Sequence, residues 1–290
     1  MLGLIMKTKQ ILLFLLISVS LSSCFRRWFL SDKQIVEHYK NKQAKPQKHF
    51  IENDSIKLHY VTFGKETNRP VIFIHGAPGS WDGYLNLLDD SLLQQKFNLI
   101  SVDRLGYGTS KVKPKKKIYS LEAQAVAIMQ TLRDNKSGMK PIILGRSYGA
   151  PIAVKMAAMY PDKIEKIILV SPAIDPDTEK FWWFSGLGKF FLVRWFLPTR
   201  MNTATDEKFA HVAELRKLVP EWKKISTNVT VLTGGKDWIV DTTNFSYAKK
   251  MLVGKNAKFV FVPESGHLIT ASHPQIMVKE MIETDSLARK

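Results

Sequence analysis

Residues 142–151 read IILGRSYGAP, an apolar run followed by a serine with a glycine two positions to either side. A strand that turns directly into a helix brings the residues flanking the turn close together, so both must be small. Gly145 and Gly149 occupy those places, and Ser147 stands between them. The pattern predicts a nucleophile elbow: a serine in strained backbone at the end of a buried strand, with the N–H of Tyr148 beside it.

Apolar runs alternate with helical patterns along the chain, which is typical of parallel strands joined by helices. The runs VIFIH, PIILG and KIILVS are continuously apolar, as expected of strands buried on both faces. The predicted strands are residues 57–63, 71–75, 97–102, 141–146, 166–171, 229–233 and 258–262. The predicted helices are residues 83–95, 120–135, 149–160, 243–252 and 274–287. The alternation breaks between about residues 174 and 226, which predicts an insertion.

A second motif, HGAPGS, begins at His75 and follows the strand VIFI directly. Its glycines and proline shape a loop whose backbone can approach a bound carbonyl. The N–H groups of Ala77 and Tyr148 are the expected donors to an oxyanion, and losing one such donor typically costs about 3 kcal/mol of transition-state stabilisation. We interpret His75 as a buried imidazole that braces this loop, because a catalytic histidine here would approach Ser147 from the oxyanion side.

A third motif, DRLGYGTS, follows the strand FNLISV, and Asp103 and Arg104 are expected to pair or cap within its turn. The motifs HGAPGS, DRLGYGTS and GRSYG, in this order and at these spacings, resemble the α/β-hydrolase superfamily. The resemblance covers the chain from about Phe50 onward, except the insertion. It implies an α/β fold in which helices flank a mostly parallel central sheet, with a small helical cap inserted after the sixth strand.

The family implies a catalytic triad whose members follow in the order nucleophile, acid, base. We choose Asp237, after the strand NVTVLTGG, as the acid; Asp175 lies one strand earlier, where some family members place theirs, and is the alternative. In the segment FVFVPESGHLI, His267 lies in a turn after the last strand and is the expected base for Ser147. The chemistry that the resemblance implies needs no metal or organic cofactor.

The residue at the nucleophile position limits which classes of hydrolase reaction are expected. Epoxide hydrolases and haloalkane dehalogenases use an aspartate where this chain has Ser147, so hydrolysis of a carboxylic ester through an acyl-enzyme is the leading hypothesis. HGAPG also resembles the HGGPG of proline iminopeptidases, whose elbow usually reads GGSWG. An aminopeptidase or amidase is therefore an alternative, although Ala77, Arg146 and Tyr148 depart from that pattern. A non-catalytic, lipid-anchored binding protein on the same fold is the second alternative.

Substrate choice is expected to reside in the insertion, where aromatic residues crowd together with cations. These residues are Phe181, Trp182, Trp183, Phe184, Phe190, Phe191, Trp195 and Phe196, with Lys189, Arg194 and Arg200. In one interpretation, the insertion is a lid whose aromatic side chains line an acyl pocket or touch a bilayer. In the other, which we favour, they pack on the core. Both interpretations are compatible with a medium-chain acyl or aryl ester as substrate. Arg146 is expected to pair within the scaffold, with recognition of an anionic substrate as the alternative.

The N-terminus has the features of a secretory signal over residues 1–23, because Lys7 and Lys9 precede an uninterrupted apolar and hydroxyl run over residues 11–21. The run closes on LSSC, which resembles the bacterial lipobox and implies that Cys24 is lipidated and anchors the protein to a membrane of the cell envelope, outside the cytoplasm. An uncleaved N-terminal anchor is the alternative. Cys24 is the only cysteine, which counts against disulfides, a thiol nucleophile and a cysteine metal cluster.

The predicted division of the chain is a signal over residues 1–23, a lipidated N-terminus and a partly helical basic spacer over residues 24–49, and a hydrolase domain over residues 50–290 with its cap at about 175–226. The formal net charge is +17; residues 1–23 contain two lysines and no acid, so the remainder keeps +15. Such a charge is compatible with nucleic acid, but the chain has no nucleic-acid-binding motif. We expect no such partner, since basic residues also suit a protein that faces anionic head groups.

Overall fold

The computed structural model describes residues 30–114, 118–180 and 190–288, which form one nine-stranded sheet. Its strands are β1 (Gln47–Glu52), β2 (Ile56–Phe63), β3 (Arg69–Ile74), β4 (Phe97–Val102), β5 (Lys111–Val112), β6 (Ile142–Arg146), β7 (Lys166–Val170), β8 (Asn228–Gly234) and β9 (Ala257–Val262). They lie in the order β1-β2-β4-β3-β6-β7-β8-β9, with β5 beside β2. Strand β2 pairs antiparallel with β1, β4 and β5, and every other pair is parallel.

All seven predicted strands are confirmed, with ends shifted by at most two residues. The central ones are continuously apolar because helices cover both faces of the sheet. In the parallel register, Ile74 lies opposite Gly145, and Gly145 lies opposite Leu169. The carboxyl ends of β3, β6 and β7 are therefore level, and the loops that leave them meet at one edge of the sheet, where ligands bind in open α/β sheets.

Helices pack on the two faces of this sheet. They are α1 (Asp32–Tyr39), α2 (Leu85–Leu88), α3 (Ser91–Lys96), α4 (Leu121–Met129), α5 (Gly149–Met159), α6 (Phe191–Phe196), α7 (Thr199–Leu218), α8 (Thr243–Met251), α9 (Ile269–Ser272) and α10 (Pro274–Ala288). Ile72 and Ile74 of β3 share one apolar cluster with α4 and α5, and Val71 and Phe73 share the other with α1 and α10. Successive residues of one strand thus serve opposite layers.

The insertion forms a helical cap after β7, which is the sixth strand when the two-residue β5 is left aside. Its described part consists of α6, α7 and a 3₁₀ helix, Val219–Lys224. Leu215, Leu218 and Trp222 join the cluster that holds α5, so this end of the cap is anchored in the core. The predicted fold class, a mostly parallel sheet flanked by helices with a small cap, is confirmed.

The N-terminal boundary of the domain differs from the prediction. Residues 24–49 are expected to be a spacer, but α1 and the first half of β1 lie within them. Ile35 and Tyr39 are buried, at 8% and 3% exposure, in the cluster that holds Phe73. Two apolar anchors in an eight-residue helix are too few for a periodic signal, and the edge strand β1 has no fully buried residue. The folded domain therefore begins well before residue 50.

The predicted helix over residues 83–95 is also wrong in detail, because three short pieces replace it: a 3₁₀ helix (Trp81–Tyr84), α2 and α3. The Asp90 carboxylate accepts a hydrogen bond from the Leu93 N–H at 2.9 Å. This contact is an N-cap, which starts a new helix instead of continuing the previous one.

Several predictions on the sequence fall outside the described residues: the signal over 1–23, Cys24, the aromatic residues 181–184 and Lys189. Among the helices that are described, none combines the length and the apolar character needed to cross a bilayer.

Candidate active site

The nucleophile elbow, residues 145–149, has the strained geometry that its glycines predict. Ser147 has a φ of 54°, in the left-handed region that side chains other than glycine rarely adopt. A Cβ on Gly145 would lie 2.4 Å from the Gly149 carbonyl oxygen, and one on Gly149 would lie 2.2 Å from the Ile74 carbonyl oxygen. Both glycines are therefore required, since the turn closes on itself and α5 starts against β3. The Ser147 N–H donates to the Val170 carbonyl at 2.9 Å, which ties the elbow to β7.

The oxyanion loop, residues 75–80, lies directly against this serine. A Cβ on Gly76 would be 3.0 Å from the Ser147 Cβ and 3.5 Å from its Oγ. The Ala77–Pro78 peptide bond is cis. In the described part of the chain, neither the Ala77 N–H nor the Tyr148 N–H donates a hydrogen bond. Two unpaired backbone donors beside a serine hydroxyl are the arrangement that can stabilise a developing oxyanion.

His75 braces the oxyanion loop and leaves no nitrogen for catalysis. Its Nδ1–H donates to the Gly76 carbonyl at 2.7 Å, and its Nε2 accepts the Arg104 N–H at 3.1 Å. Burial, together with the charge of Arg104, holds the pKa of His75 well below its usual range, so the ring is neutral. A Cβ on Gly79 would lie 2.3 Å from this ring, so glycine is needed where the loop wraps around it.

The structure brings together the predicted acid and base. His267 Nδ1 lies 2.8 Å from Asp237 Oδ2, and both side chains are largely buried. The other carboxylate oxygen of Asp237 accepts the N–H groups of Ile239 at 3.0 Å and Val240 at 2.9 Å. Three hydrogen-bond donors fix this carboxylate in position. Asp237 therefore holds the His267 ring with the proton on Nδ1.

The alternative acid, Asp175, does not contact His267. Its carboxylate accepts the Asp177 N–H at 2.9 Å, and its own N–H donates to Asn244 Oδ1 at 2.9 Å. These bonds shape the turn that leads from β7 into the cap. Asp175 therefore stabilises this turn, and Asp237 is the carboxylate that contacts the histidine.

The backbone of His267 is tied to the strand next to the elbow. The Ser171 hydroxyl, at the end of β7, donates to the His267 carbonyl at 3.1 Å, and β7 is the neighbour of β6, which carries Ser147. Among the described residues no hydrogen bond joins the Ser147 hydroxyl to His267. Catalytic hydrogen bonds are often long before a substrate is bound and tighten in the complex.

A buried ion pair connects the cap to the oxyanion loop. The Arg104 guanidinium donates to both carboxylate oxygens of Glu207 on α7, at 2.5 and 3.0 Å, and neither side chain is exposed. It also donates to the carbonyls of His75 and Gly76, each at 2.9 Å. The hydroxyl of Tyr107 donates to the same carboxylate at 2.5 Å. Every polar atom of this cluster has a partner, which is what allows two charges to stay buried.

The turn that carries Arg104 thus differs from its prediction. The Asp103 carboxylate caps the turn by accepting the Thr109 N–H at 3.4 Å, and it also accepts the N–H of Trp81 at 2.9 Å. Arg104 does not pair with Asp103 but crosses to Glu207. Glu207 was not predicted from the sequence, because a buried helix face is recognised by apolar residues at helical spacing and both Glu207 and His211 are polar.

Arg146, inside the elbow, is bound in the scaffold as expected. Its Nη1 donates to Thr270 Oγ1 at 2.9 Å and to the Gly83 carbonyl at 3.3 Å. The guanidinium carbon lies 5.1 Å from the centroid of the Tyr84 ring, within the range of a cation–π contact. These bonds hold the side chain between the segment after the oxyanion loop and α9.

The described members of the aromatic set predicted at the start of the cap do not pack on the core, contrary to the interpretation that we favour from the sequence, whereas Trp222 at the far end of the cap does. Phe190, Phe191, Trp195 and Phe196 are 61%, 72%, 79% and 57% exposed. Four of the seven residues 190–196 are aromatic, and a six-residue helix can turn only one side to the protein. The cap therefore presents a patch of large aromatic side chains at its surface, which supports the other interpretation.

The described residues contain no group of three or more histidine, cysteine, aspartate or glutamate side chains that could hold a metal ion. The sheet edge holds a serine, a histidine paired with a carboxylate, and two backbone N–H groups that donate no hydrogen bond among the described residues.

The Arg104–Glu207 pair makes a testable contribution to stability. Glu207→Leu leaves a charged guanidinium buried without its partner, so we expect the free energy of unfolding to fall by about 3–5 kcal/mol in urea titrations. Asp177→Ala, which breaks the exposed Arg216–Asp177 pair at 2.7 Å, is the control and should cost less than about 1 kcal/mol. A Glu207→Leu protein as stable as the wild type would contradict this account.

Residues 69–222 match the family described as alpha/beta hydrolase fold. The chain is 22% identical to epoxide hydrolase 3 of Mus musculus over 280 residues, covering 80% of this chain and 74% of that protein. It spans less than half the length of several other curated relatives. Among solved structures, a candidate lipase, lip1, of Acinetobacter baumannii AYE has a TM-score of 0.70 at 19% identity, covering 89% of this chain and 98% of its own.

A structure described as a membrane phospholipase A has a TM-score of 0.67 at 20% identity, covering 97% of this chain and 99% of its own. At these identities the structural likeness concerns the fold. The family match, by contrast, covers more than half of the sequence and includes the oxyanion loop and the elbow. The chain therefore belongs to the alpha/beta hydrolase fold family.

Proposed function

We propose that this protein is a serine hydrolase that cleaves a carboxylic ester through an acyl-enzyme. Ser147 is the nucleophile, His267 the general base and Asp237 the acid of the triad, with the N–H groups of Ala77 and Tyr148 as the oxyanion hole. The observation that carries the proposal is the strained Ser147 at 54° in φ, held directly against a loop with an unpaired N–H group. Strain of this kind persists at functional sites, where the surroundings enforce it.

The proposed reaction follows from these contacts. Because the Asp237 carboxylate accepts a hydrogen bond from the Nδ1–H of His267, the lone pair of the neutral ring is on Nε2, which can act as a base. Ser147 Oγ bonds to the ester carbon, its proton passes to Nε2, and the carbonyl oxygen takes up the negative charge beside the two N–H groups. The bond to the alcohol then breaks, and His267 returns the proton to the leaving oxygen. Water, activated by the same histidine, releases the acid from Ser147.

The proposed substrate is a medium-chain acyl or aryl ester. Support comes from the aromatic patch of the cap, whose exposed side chains offer apolar contacts to an acyl or aryl group. The epoxide-opening reaction named for the mouse relative is not proposed, since this chain has a serine where epoxide hydrolases use an aspartate. Peptide-bond cleavage is the alternative, and Ala77, Arg146 and Tyr148 weigh against it.

We expect a fluorophosphonate probe to label Ser147 in the folded protein, and Ser147→Ala to abolish labelling and hydrolysis of nitrophenyl butyrate. Asp237→Asn should lower kcat by about 10³–10⁴-fold, because the histidine loses the partner that fixes its tautomer. Asp175→Asn is the matched control and should retain activity within a few-fold. Steady-state kinetics and mass spectrometry of the adduct measure these effects.

Each alternative has its own outcome in the same experiments. A folded protein without an adduct would support a non-catalytic binding protein. An adduct combined with cleavage of prolyl anilides but not of esters would support the peptidase alternative. Loss of turnover in Asp175→Asn alone would reverse the assignment of the acid.

We also propose that the protein is a lipid-anchored lipoprotein of a bacterial cell envelope, with residues 1–23 as its signal and Cys24 as the lipidated residue. The LSSC sequence and the net charge of +17 support this proposal, because basic residues strengthen binding to anionic head groups. The aromatic patch adds support, since tryptophan and phenylalanine side chains favour the membrane interface.

For the anchor, Cys24→Ser should abolish incorporation of labelled palmitate in bacteria and move the protein out of the membrane fraction. Ser23→Ala keeps a small residue before the cysteine and is the matched control, with labelling unchanged. Palmitate labelling that persists in Cys24→Ser would contradict the assignment.

A further inference from the structure

The cap turns a stripe of polar side chains toward the hydrolase domain. Glu207, His211 and Glu214 are all buried on α7, at 0%, 2% and 6% exposure, and their spacing of four and three places them on one helix face. Buried polar atoms in proteins almost always have a hydrogen-bond partner, so an exception in such a place needs an explanation.

Both carboxylates of the stripe are satisfied. Glu207 is bound by Arg104 and Tyr107. Glu214 accepts the Leu121 N–H at 3.0 Å and the Lys217 ammonium group at 2.6 Å. These contacts join the cap to the turn after β4 and to the start of α4.

His211 is the exception. Its Nδ1 lies 2.9 Å from Glu179 Oε2, whereas its Nε2 is buried and has no hydrogen-bond partner. Burial alone would raise the pKa of Glu179, but its hydrogen bond with His211 and the charge of Lys208 lower it, so the carboxylate accepts from His211 Nδ1. The proton of a neutral His211 ring is therefore on Nδ1, and Nε2 presents a lone pair.

The position of His211 relates this lone pair to the proposed site. Its ring packs against the Tyr148 ring, with centroids 4.6 Å apart and planes inclined by 34°. Tyr148 follows the nucleophile directly, and its N–H is one of the two proposed oxyanion donors. Its hydroxyl is already used, because it donates to the Tyr119 carbonyl at 3.2 Å. His211 therefore lies between the cap and the residue that follows Ser147, and among the described residues its Nε2 has no hydrogen-bond partner.

We propose that His211 Nε2 is a substrate-binding acceptor that receives a hydrogen bond from a hydroxyl group of the ester. The inference rests on the proposed function and narrows its substrate class to esters that carry a hydroxyl group a few atoms from the scissile bond. Glu179 is its positioning residue, since it fixes the tautomer. A buried acceptor rejects an analogue that lacks the donor, because the acceptor then loses its water without gaining a partner.

Two pairs of esters test the inference and locate the hydroxyl group: nitrophenyl butyrate against nitrophenyl 3-hydroxybutyrate for the acyl side, and ethyl butyrate against 2-hydroxyethyl butyrate for the alcohol side. The wild type should prefer the hydroxylated member of one pair by at least about fivefold in kcat/KM, the effect of one neutral hydrogen bond. His211→Phe keeps a ring against Tyr148 but has no nitrogen. It should abolish the preference, so that the ratio of kcat/KM between the hydroxylated and the plain ester falls to about one.

The matched control is His49→Phe, which changes a histidine stacked on Tyr60 with centroids 4.9 Å apart, on β1 and away from the elbow. It should leave the preference unchanged. His211→Met, an apolar side chain without ring nitrogens, is the second variant if His211→Phe does not fold.

Equal rates on both members of each pair in the wild type, or a preference that survives in the His211 variants, would overturn the inference while Ser147-dependent turnover upholds the proposed function. Absence of both turnover and a Ser147 adduct would instead overturn the proposed function.

Discussion

The close approach of α5 to β3 at Gly149 is the constraint on which the site depends. The helix can start against the Ile74 carbonyl only because Gly149 has no side chain, and this start forces Ser147 into the left-handed region. The same approach sets Gly76 against the serine, so one backbone arrangement produces both the strained serine and the N–H groups beside it. The strain at Ser147 is offset by the buried parallel strands on either side, whose register holds the turn in place.

A buried ion pair connects the cap to this arrangement. Arg104 joins the carbonyls of the oxyanion loop to Glu207 of α7, and all of these groups are buried. A bidentate guanidinium–carboxylate pair fixes direction as well as distance. The cap and the loop therefore share one polar cluster, and displacement of α7 would expose or unpair a charge. This coupling explains how the cap can determine the geometry of the oxyanion loop.

Local patterns were sufficient for the central sheet and for the residues at its edge. The strands could be predicted because burial on both faces makes them continuously apolar, and the elbow because only glycine fits the two flanking places. The pairing of His267 with Asp237 followed from the order nucleophile, acid, base that the family resemblance implies. The edge strand β1 and the packing of helix α1 on the core could not be predicted, since partial burial and short length leave no periodic signal. The partner of Arg104 is 103 residues away in the chain, and no local pattern specifies such a contact.

The most direct test of the account is a crystal structure of the protein after reaction with a nitrophenyl phosphonate, whose tetrahedral adduct mimics the intermediate. The account predicts phosphorus bonded to Ser147 Oγ, with the phosphoryl oxygen within about 3 Å of the backbone nitrogens of both Ala77 and Tyr148. An adduct on another residue, or a phosphoryl oxygen turned away from these two N–H groups, would contradict it.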